Sequence, residues 1–233
     1  EVAGRIIGAA LVDEGGWAKL THLTTRIGNR LSGSPQLERG VAWAGETMRA
    51  DHLDNVRLQP VKVPHWVRGR EYATAVAPVE KPLAMLGLGG SIATPSEGIT
   101  APVVYVKSGT AADFDAAGDV GGKIVLVDMR MSSWWFSLPA FEAGHRRAAG
   151  VVCTFTTDDP KYWSVNDQAL GSFDGQYDFG APPWIYVSRR DGDWLKSALR
   201  AGPVTATLVL QEKVTPARDG GTAYNVVGEV QGD

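Results

Sequence analysis

The spacing of apolar residues changes near Val56, and this change limits the folds open to the chain. Before it, apolar residues recur with the period of a helix in three stretches, at about 6–11, 17–27 and 37–48. After it, β-branched and apolar residues alternate with polar ones, and the alternation is clearest at 204–210. The sequence therefore predicts three amphipathic helices followed by a strand-rich block of about 150 residues, the size of one domain.

Turn and capping residues set the expected boundaries of the elements. Strands are predicted at 56–67, 72–78, 82–86, 103–107, 123–128, 150–154, 183–187, 204–214 and 224–230. Helices are predicted between them at 110–117, 139–149 and 188–200. Ser34 followed by Pro35 is a typical helix start, and Ser188 with Asp191 resembles a capping box. Gly150 is expected to end the helix before it.

Three amphipathic helices at the start of a chain cannot cover one another's apolar faces without a further partner. We therefore expect an α+β chain in two parts. The strand-rich block forms one domain. The first 55 residues and the last ten belong to a second domain, most of which lies outside this sequence.

Composition is typical of a globular protein and excludes several classes. Hydrophobic residues make up 44% and charged residues 21%, which argues against extended disorder. The net charge is −3 and the basic residues are scattered, so no nucleic-acid partner is indicated. No apolar run approaches the roughly 20 residues of a membrane span. Cys153 is the only cysteine, so no internal disulfide is expected, and its apolar neighbours predict a buried side chain.

Motifs that would carry chemistry are weak. The glycines at 87–90 and 121–122 lack the spacing of nucleotide-binding loops and are interpreted as turns. A His-x-Asp triplet, such as His52 with Asp54, is a common source of zinc ligands, but here it follows an amphipathic helix in a polar stretch. We interpret it as a helix terminus, and we expect structural roles for His22, His65 and His145. No catalytic and no metal-binding residue is predicted.

Two aromatic segments are the remaining candidates for a binding site. One contains Trp134, Trp135 and Phe136, flanked by turn residues, and the other contains Trp163 and Tyr177 within a long loop at 156–181. Long loops are unusual unless they bind something or pack against a partner. Both roles remain open for these residues.

Six segments in collinear order resemble the zinc exopeptidases of the carboxypeptidase Q and aminopeptidase Y type. They are residues 29–34, 53–61, 64–69, 86–100, 122–125 and 224–230. The resemblance implies that the helical start and the final strand belong to an α/β peptidase domain. It also implies that residues 65–215 are a protease-associated (PA) domain inserted into it, which shapes substrate access or subunit contacts. Residues 1–64 and 216–233 are then the parts of the peptidase domain that flank the insert.

The resemblance also implies what the chain does not contain. In that family two zinc ions are bound by residues that begin with a His-x-Asp motif shortly after the strand matched here by 225–230, and this sequence ends first. The parent protein would be a secreted or periplasmic exopeptidase, its signal peptide removed, acting on small peptides as an aminopeptidase or carboxypeptidase. Its expected partners are the rest of the peptidase domain, the peptide substrate and a second copy in a homodimer. The alternative is a stand-alone peptide- or protein-binding module with no enzymatic role.

Overall fold

The computed structural model describes residues 1–89, 91–129, 138–155, 181–215 and 219–232. It is a mixed α and β chain that divides into two compact units. Unit 1 comprises Glu1–His65 and Thr215–Asp233, and unit 2 comprises Trp66–Val214. Among the described residues, no helix is both long and apolar enough to span a membrane.

Unit 1 combines helices with one antiparallel strand pair. Its elements are α1 (Val2–Val12), α2 (Gly15–His22) continued by a π-helical turn (Leu23–Ile27), α3 (Pro35–Ala50), β1 (Asp54–Lys62) and β12 (Thr222–Glu229). As predicted, α3 begins at the Ser34–Pro35 step, where the Ser34 side chain accepts a hydrogen bond of 3.2 Å from the Leu37 amide. His22 stacks on Trp43 at 4.9 Å between ring centroids, which is the structural role expected for this histidine.

Unit 2 is built on an eight-stranded sheet with the order β4-β3-β10-β6-β7-β8-β9-β5. These strands are β3 (Glu71–Ala77), β4 (Lys81–Leu83), β5 (Met85–Gly87), β6 (Ile99–Tyr105), β7 (Ile124–Met129), β8 (Gly150–Phe155), β9 (Trp184–Val187) and β10 (Thr205–Leu210). Strands β6 to β9 run parallel to one another, and the outer pairs are antiparallel. A separate pair joins β2 (His65–Val67) to β11 (Lys213–Thr215).

Helices cover both faces of the parallel strands. One face packs against α4 (Ala111–Ala117) and α5 (Leu138–His145), through Phe114, Ala140 and Ala143. The other packs against α6 (Arg189–Ala201), through Leu195. Near-continuous apolar runs such as 124–127, in which every residue is fully buried, follow from this two-sided cover.

Three of the predicted strands are each divided into two in the structure. The stretch predicted at 56–67 is two strands interrupted at Val63 and Pro64, since β1 pairs with β12 whereas β2 pairs with β11. The stretch predicted at 82–86 is interrupted at Ala84, whose amide instead donates to Asp191 while its carbonyl accepts from the Ser188 amide. The stretch predicted at 204–214 is likewise divided into β10 and β11.

The predicted end of the helix at 139–149 was also wrong. Helix α5 ends at His145, and Arg147, with φ +57°, takes the left-handed position that the sequence had assigned to Gly150. The amide of Ala148 donates to Ala143 and that of Arg147 to Gly144, which is the hydrogen-bond pattern of a Schellman motif. Gly150 is instead the first residue of β8.

Candidate functional site

In the chain, the two aromatic segments directly follow the carboxyl ends of two neighbouring parallel strands. Strand β7 ends at Met129 and β8 at Phe155, and these two residues are partners in the parallel register. Crevices at the carboxyl ends of parallel strands are common ligand sites in α/β sheets. Trp134, Trp135, Phe136, Trp163 and Tyr177 themselves lie outside the described residues.

A polar cluster lies at this same edge, on the face covered by α6. The Tyr105 hydroxyl donates to Asp128 Oδ2 at 2.5 Å, and Lys196 Nζ donates to Asp128 Oδ1 at 3.0 Å. Lys196 also pairs with Asp193 at 3.0 Å. The side chains of Lys196 and Asp128 are only 13% and 14% exposed, so the pair is largely removed from solvent. Burial and the bond to Asp128 raise the pKa of Tyr105 above its ordinary value, so its hydroxyl remains a donor.

Thr154 extends the cluster. It is the register partner of Asp128 on the next strand and is fully buried. Among the residues that the structure describes, its hydroxyl has no hydrogen-bond partner. Gly192 of α6 packs directly against it, since a Cβ at Gly192 would lie 2.4 Å from Thr154 Oγ1.

An open cleft of about 320 Å³ adjoins the cluster between β6 and α6. It is lined by Val103, Val104, Tyr105, Lys196, Leu199 and Arg200. The lining is mainly apolar, and of its two basic residues, Lys196 is already paired with Asp128 and Asp193. Sequence analysis did not single out these residues, because Tyr105 and Asp128 are separated by 23 positions and Asp128 and Lys196 by 68. One signal was present, the carboxylate of Asp128 near the carboxyl end of a buried apolar strand.

The histidines do not assemble a metal site within the described residues. His52 lies just beyond α3 with φ +63°, where the chain turns into β1, and Asp54 is the first residue of that strand. His65 packs against Gly33, and the ring of His145 lies parallel to that of Phe141. No group of three or more potential ligands comes together in the part of the chain that the structure describes. These side chains therefore do not fit a dinuclear zinc centre.

Unit 1 presents an unusually large apolar surface. Helices α1 and α2 contain no buried residue, and Ile6, Leu11 and Trp17 are 64%, 81% and 73% exposed. Helices of this length depend on tertiary packing of their apolar face for most of their stability. Exposed apolar surface of this extent is typical of a face that another polypeptide segment covers.

Known proteins match the chain over its whole length. Human carboxypeptidase Q is 40% identical over 244 aligned positions, which cover 100% of this chain and 49% of that protein. The carboxypeptidase Q of cattle is 32% identical over 93% of this chain and 45% of its own length. The chain thus spans about half the length of the curated relatives it matches. No protein-family model matches it.

A solved structure agrees with these matches. A Peptidase M28 precursor from Shewanella amazonensis SB2B has a TM-score of 0.74 and 26% identity, over 100% of this chain and 54% of the other. Both matches cover 100% of the chain, so the similarity extends over unit 1 and unit 2 alike.

Proposed function

Since the chain is related to carboxypeptidase Q and to the M28-type zinc exopeptidases, we propose that it is the non-catalytic, amino-terminal part of such an enzyme. The observation that carries the proposal is the match to human carboxypeptidase Q over the entire chain but only 49% of that protein. In this proposal unit 1 is part of the peptidase domain, and unit 2 is a PA insert, with boundaries near residues 65 and 215.

The exposed apolar side chains of the unit 1 helices support the proposal that a further part of the peptidase domain packs on them. The apolar faces that include Ile6, Leu11 and Trp17 would be covered by the remainder of the peptidase domain. That remainder would also supply the ligands for two zinc ions. Zinc would activate a water molecule for attack on a peptide bond, whereas the residues of this chain contribute packing and substrate access.

Unit 2 would act through the edge at which β7 and β8 end. Trp134, Trp135, Phe136, Trp163 and Tyr177 are proposed to contact a peptide substrate or a second subunit. The register pairing of Met129 with Phe155 supports this, because both aromatic segments then start from neighbouring strand ends. Aromatic residues are enriched in such interfaces because they bury a large area with few rotatable bonds. Location outside the cytoplasm, either secreted or periplasmic, is part of the same proposal.

The experiment compares the 233-residue chain with the full-length protein. Metal analysis and hydrolysis of small peptides with free and with blocked amino termini should give bound zinc and activity for the full-length protein alone. Zinc-dependent hydrolysis by the 233-residue chain would contradict the proposed division. Peptide binding by the chain, together with an inactive full-length protein, would instead favour a stand-alone binding module.

The aromatic residues are tested in the full-length enzyme. Trp134→Ala and Trp135→Ala should raise KM or weaken dimerisation, measured by sedimentation, while leaving the circular dichroism spectrum unchanged. The exposed Trp17 provides a contrast, because Trp17→Ala should disturb folding of the peptidase domain rather than substrate affinity. Unchanged kinetics and sedimentation in both unit 2 variants would remove the binding role.

A further inference from the structure

Two glutamates of unit 2 converge on one backbone position, far along the chain from each other. Glu71 begins β3 and Glu212 follows β10. A Cβ on Gly87, the last residue of β5, would lie 2.6 Å from Glu71 Oε2 and 2.3 Å from Glu212 Oε1. Glycine is therefore the residue that leaves room for both carboxyl groups. We call Glu71 and Glu212 the carboxyl pair.

The two carboxyl groups have unequal surroundings. Glu71 accepts hydrogen bonds from Arg68 at 2.8 and 2.6 Å, and from the Gly87 amide at 3.2 Å. These donors stabilise its ionised form. Glu212 is 6% exposed and accepts one bond, from Trp66 Nε1 to its Oε2 at 2.9 Å. Among the described residues, its Oε1 is buried and has no donor.

A buried carboxylate oxygen without a donor beside a second carboxylate is unfavourable on two counts, desolvation and like charge. Both are relieved if Glu212 carries a proton on Oε1, because a protonated carboxyl group donates where an ionised one can only accept. We propose that the carboxyl pair holds one shared proton in the folded chain, and that this proton forms a pH-sensitive latch between the two ends of unit 2.

The position of the pair explains why its charge matters. Trp66 is the first residue of unit 2, and Glu212 lies two residues before its last, Val214. The Trp66–Glu212 bond therefore fastens the start of the unit to its end. With the proton present, the pair carries one negative charge, opposite Arg68. When the proton is lost, the buried charge of Glu212 lies beside the charge of Glu71, whose side chain is 15% exposed, opposite a single guanidinium, and the junction is destabilised.

The groups facing Glu212 are consistent with this state. The pKa of Glu212 is raised to about 8, chiefly by burial and to a smaller extent by the charge of Glu71, while the Trp66 bond and Arg68 lower it. Arg70, in the same segment as Arg68, lies over the ring of Tyr72 instead. The latch is a property of unit 2 and does not rest on the proposed enzymatic role.

The test follows the Trp66 indole by NMR in the complete 233-residue chain, with its eight tryptophans labelled with ¹⁵N. Trp66→Phe identifies the Trp66 Nε1–H resonance by its disappearance. This resonance should shift with a single midpoint near pH 8. Glu212→Gln, whose amide can donate to Glu71 as the protonated acid does, should abolish the titration and keep the fold.

Two further variants separate a shared proton from a general pH effect. Glu71→Gln removes the second charge, so the midpoint should fall by about one pH unit or more. Glu80→Gln, at an exposed position in the same unit, should leave it unchanged. The denaturant midpoint of the native chain should also fall as the pH rises from about 5 to about 8 and then level off, because the pKa of Glu212 is raised from 4.5 in the folded chain, and that of Glu212→Gln should fall less. A Trp66 resonance that is constant from pH 6 to 9, or a midpoint unaffected by Glu71→Gln, would overturn the proposal.

Discussion

Lys196 of α6 donates a hydrogen bond of 3.0 Å to Asp128 at the end of β7, and both side chains are largely withdrawn from solvent. The bond joins α6 to the end of β7. Residues 130–137, the segment that contains Trp134, Trp135 and Phe136, follow β7 in the chain. Its energetic role differs from that of an exposed ion pair, because loss of one partner leaves the other charge without compensation in a poorly solvated position.

Replacement of Lys196 by Met is therefore expected to lower the free energy of unfolding by about 3 kcal/mol. Guanidinium denaturation followed by circular dichroism measures the change. Arg190→Met is the matched control on the same helix, since Arg190 is exposed, and its effect should stay within about 0.5 kcal/mol. Equal effects of the two substitutions would show that the Lys196 pair adds no stability.

Gly192→Ala is expected to destabilise unit 2 although alanine favours helices. The added methyl group would meet Thr154 Oγ1 at 2.4 Å and Thr154 Cβ at 2.5 Å, both in a buried strand. Overpacking of this kind costs about 1–3 kcal/mol, which exceeds the gain of about 1 kcal/mol in helix propensity. Guanidinium denaturation measures the change, and Gly202→Ala, with open space around the glycine, should be nearly neutral in the same experiment. A stabilised Gly192→Ala variant would mean that β8 and α6 are less tightly packed than described.

Cys153 is expected to be unreactive in the native chain. Its side chain is fully buried, as the sequence predicted, and burial raises the pKa of the thiol, so the reactive thiolate is scarce. A chromogenic disulfide reagent should label no thiol at neutral pH and one per chain after addition of guanidinium, since the chain contains one cysteine. Rapid labelling without denaturant would contradict the burial of β8.

Two tyrosines should make the chain sensitive to alkali. Burial raises the pKa of Tyr105 and of Tyr186 above the ordinary value of 10. Because the folded-state pKa exceeds the unfolded one, their contribution to stability is complete below pH 10 and is lost as the pH rises further. Ultraviolet titration at pH 11 should leave at least two of the six phenols protonated until the chain unfolds. Tyr105→Phe should reduce that number by one.

Local patterns in the sequence predicted the elements that depend on local interactions. The start of α3 followed from Ser34 and Pro35, and the inward positions of β10 followed from alternation, with residues 204, 206, 208 and 210 all buried. The end of α5 could not be read in the same way. A glycine is the usual left-handed residue, and Arg147 takes that position because the chain must turn early enough for Gly150 to start β8.

Strand order, direction and the polar cluster depend on residues distant in sequence. Nothing near Tyr105 or Lys196 indicates that both will reach Asp128, because that meeting is produced by the parallel pairing of β6 with β7 and the packing of α6 across them. The candidate aromatic residues Trp134, Trp135, Phe136, Trp163 and Tyr177 remain predictions. The strands that precede them in the chain, β7 and β8, are among the residues that the structure describes, whereas these five residues are not.

The pairing of Met129 with Phe155 has a practical consequence. Six successive register pairs join β7 to β8 before the chain continues into residues 130–137 or 156–180, so these six pairs do not depend on either stretch. Insertions in connecting segments are tolerated better than insertions within strands. The positions that follow Met129 and Phe155 are therefore natural points for grafting new peptide sequences.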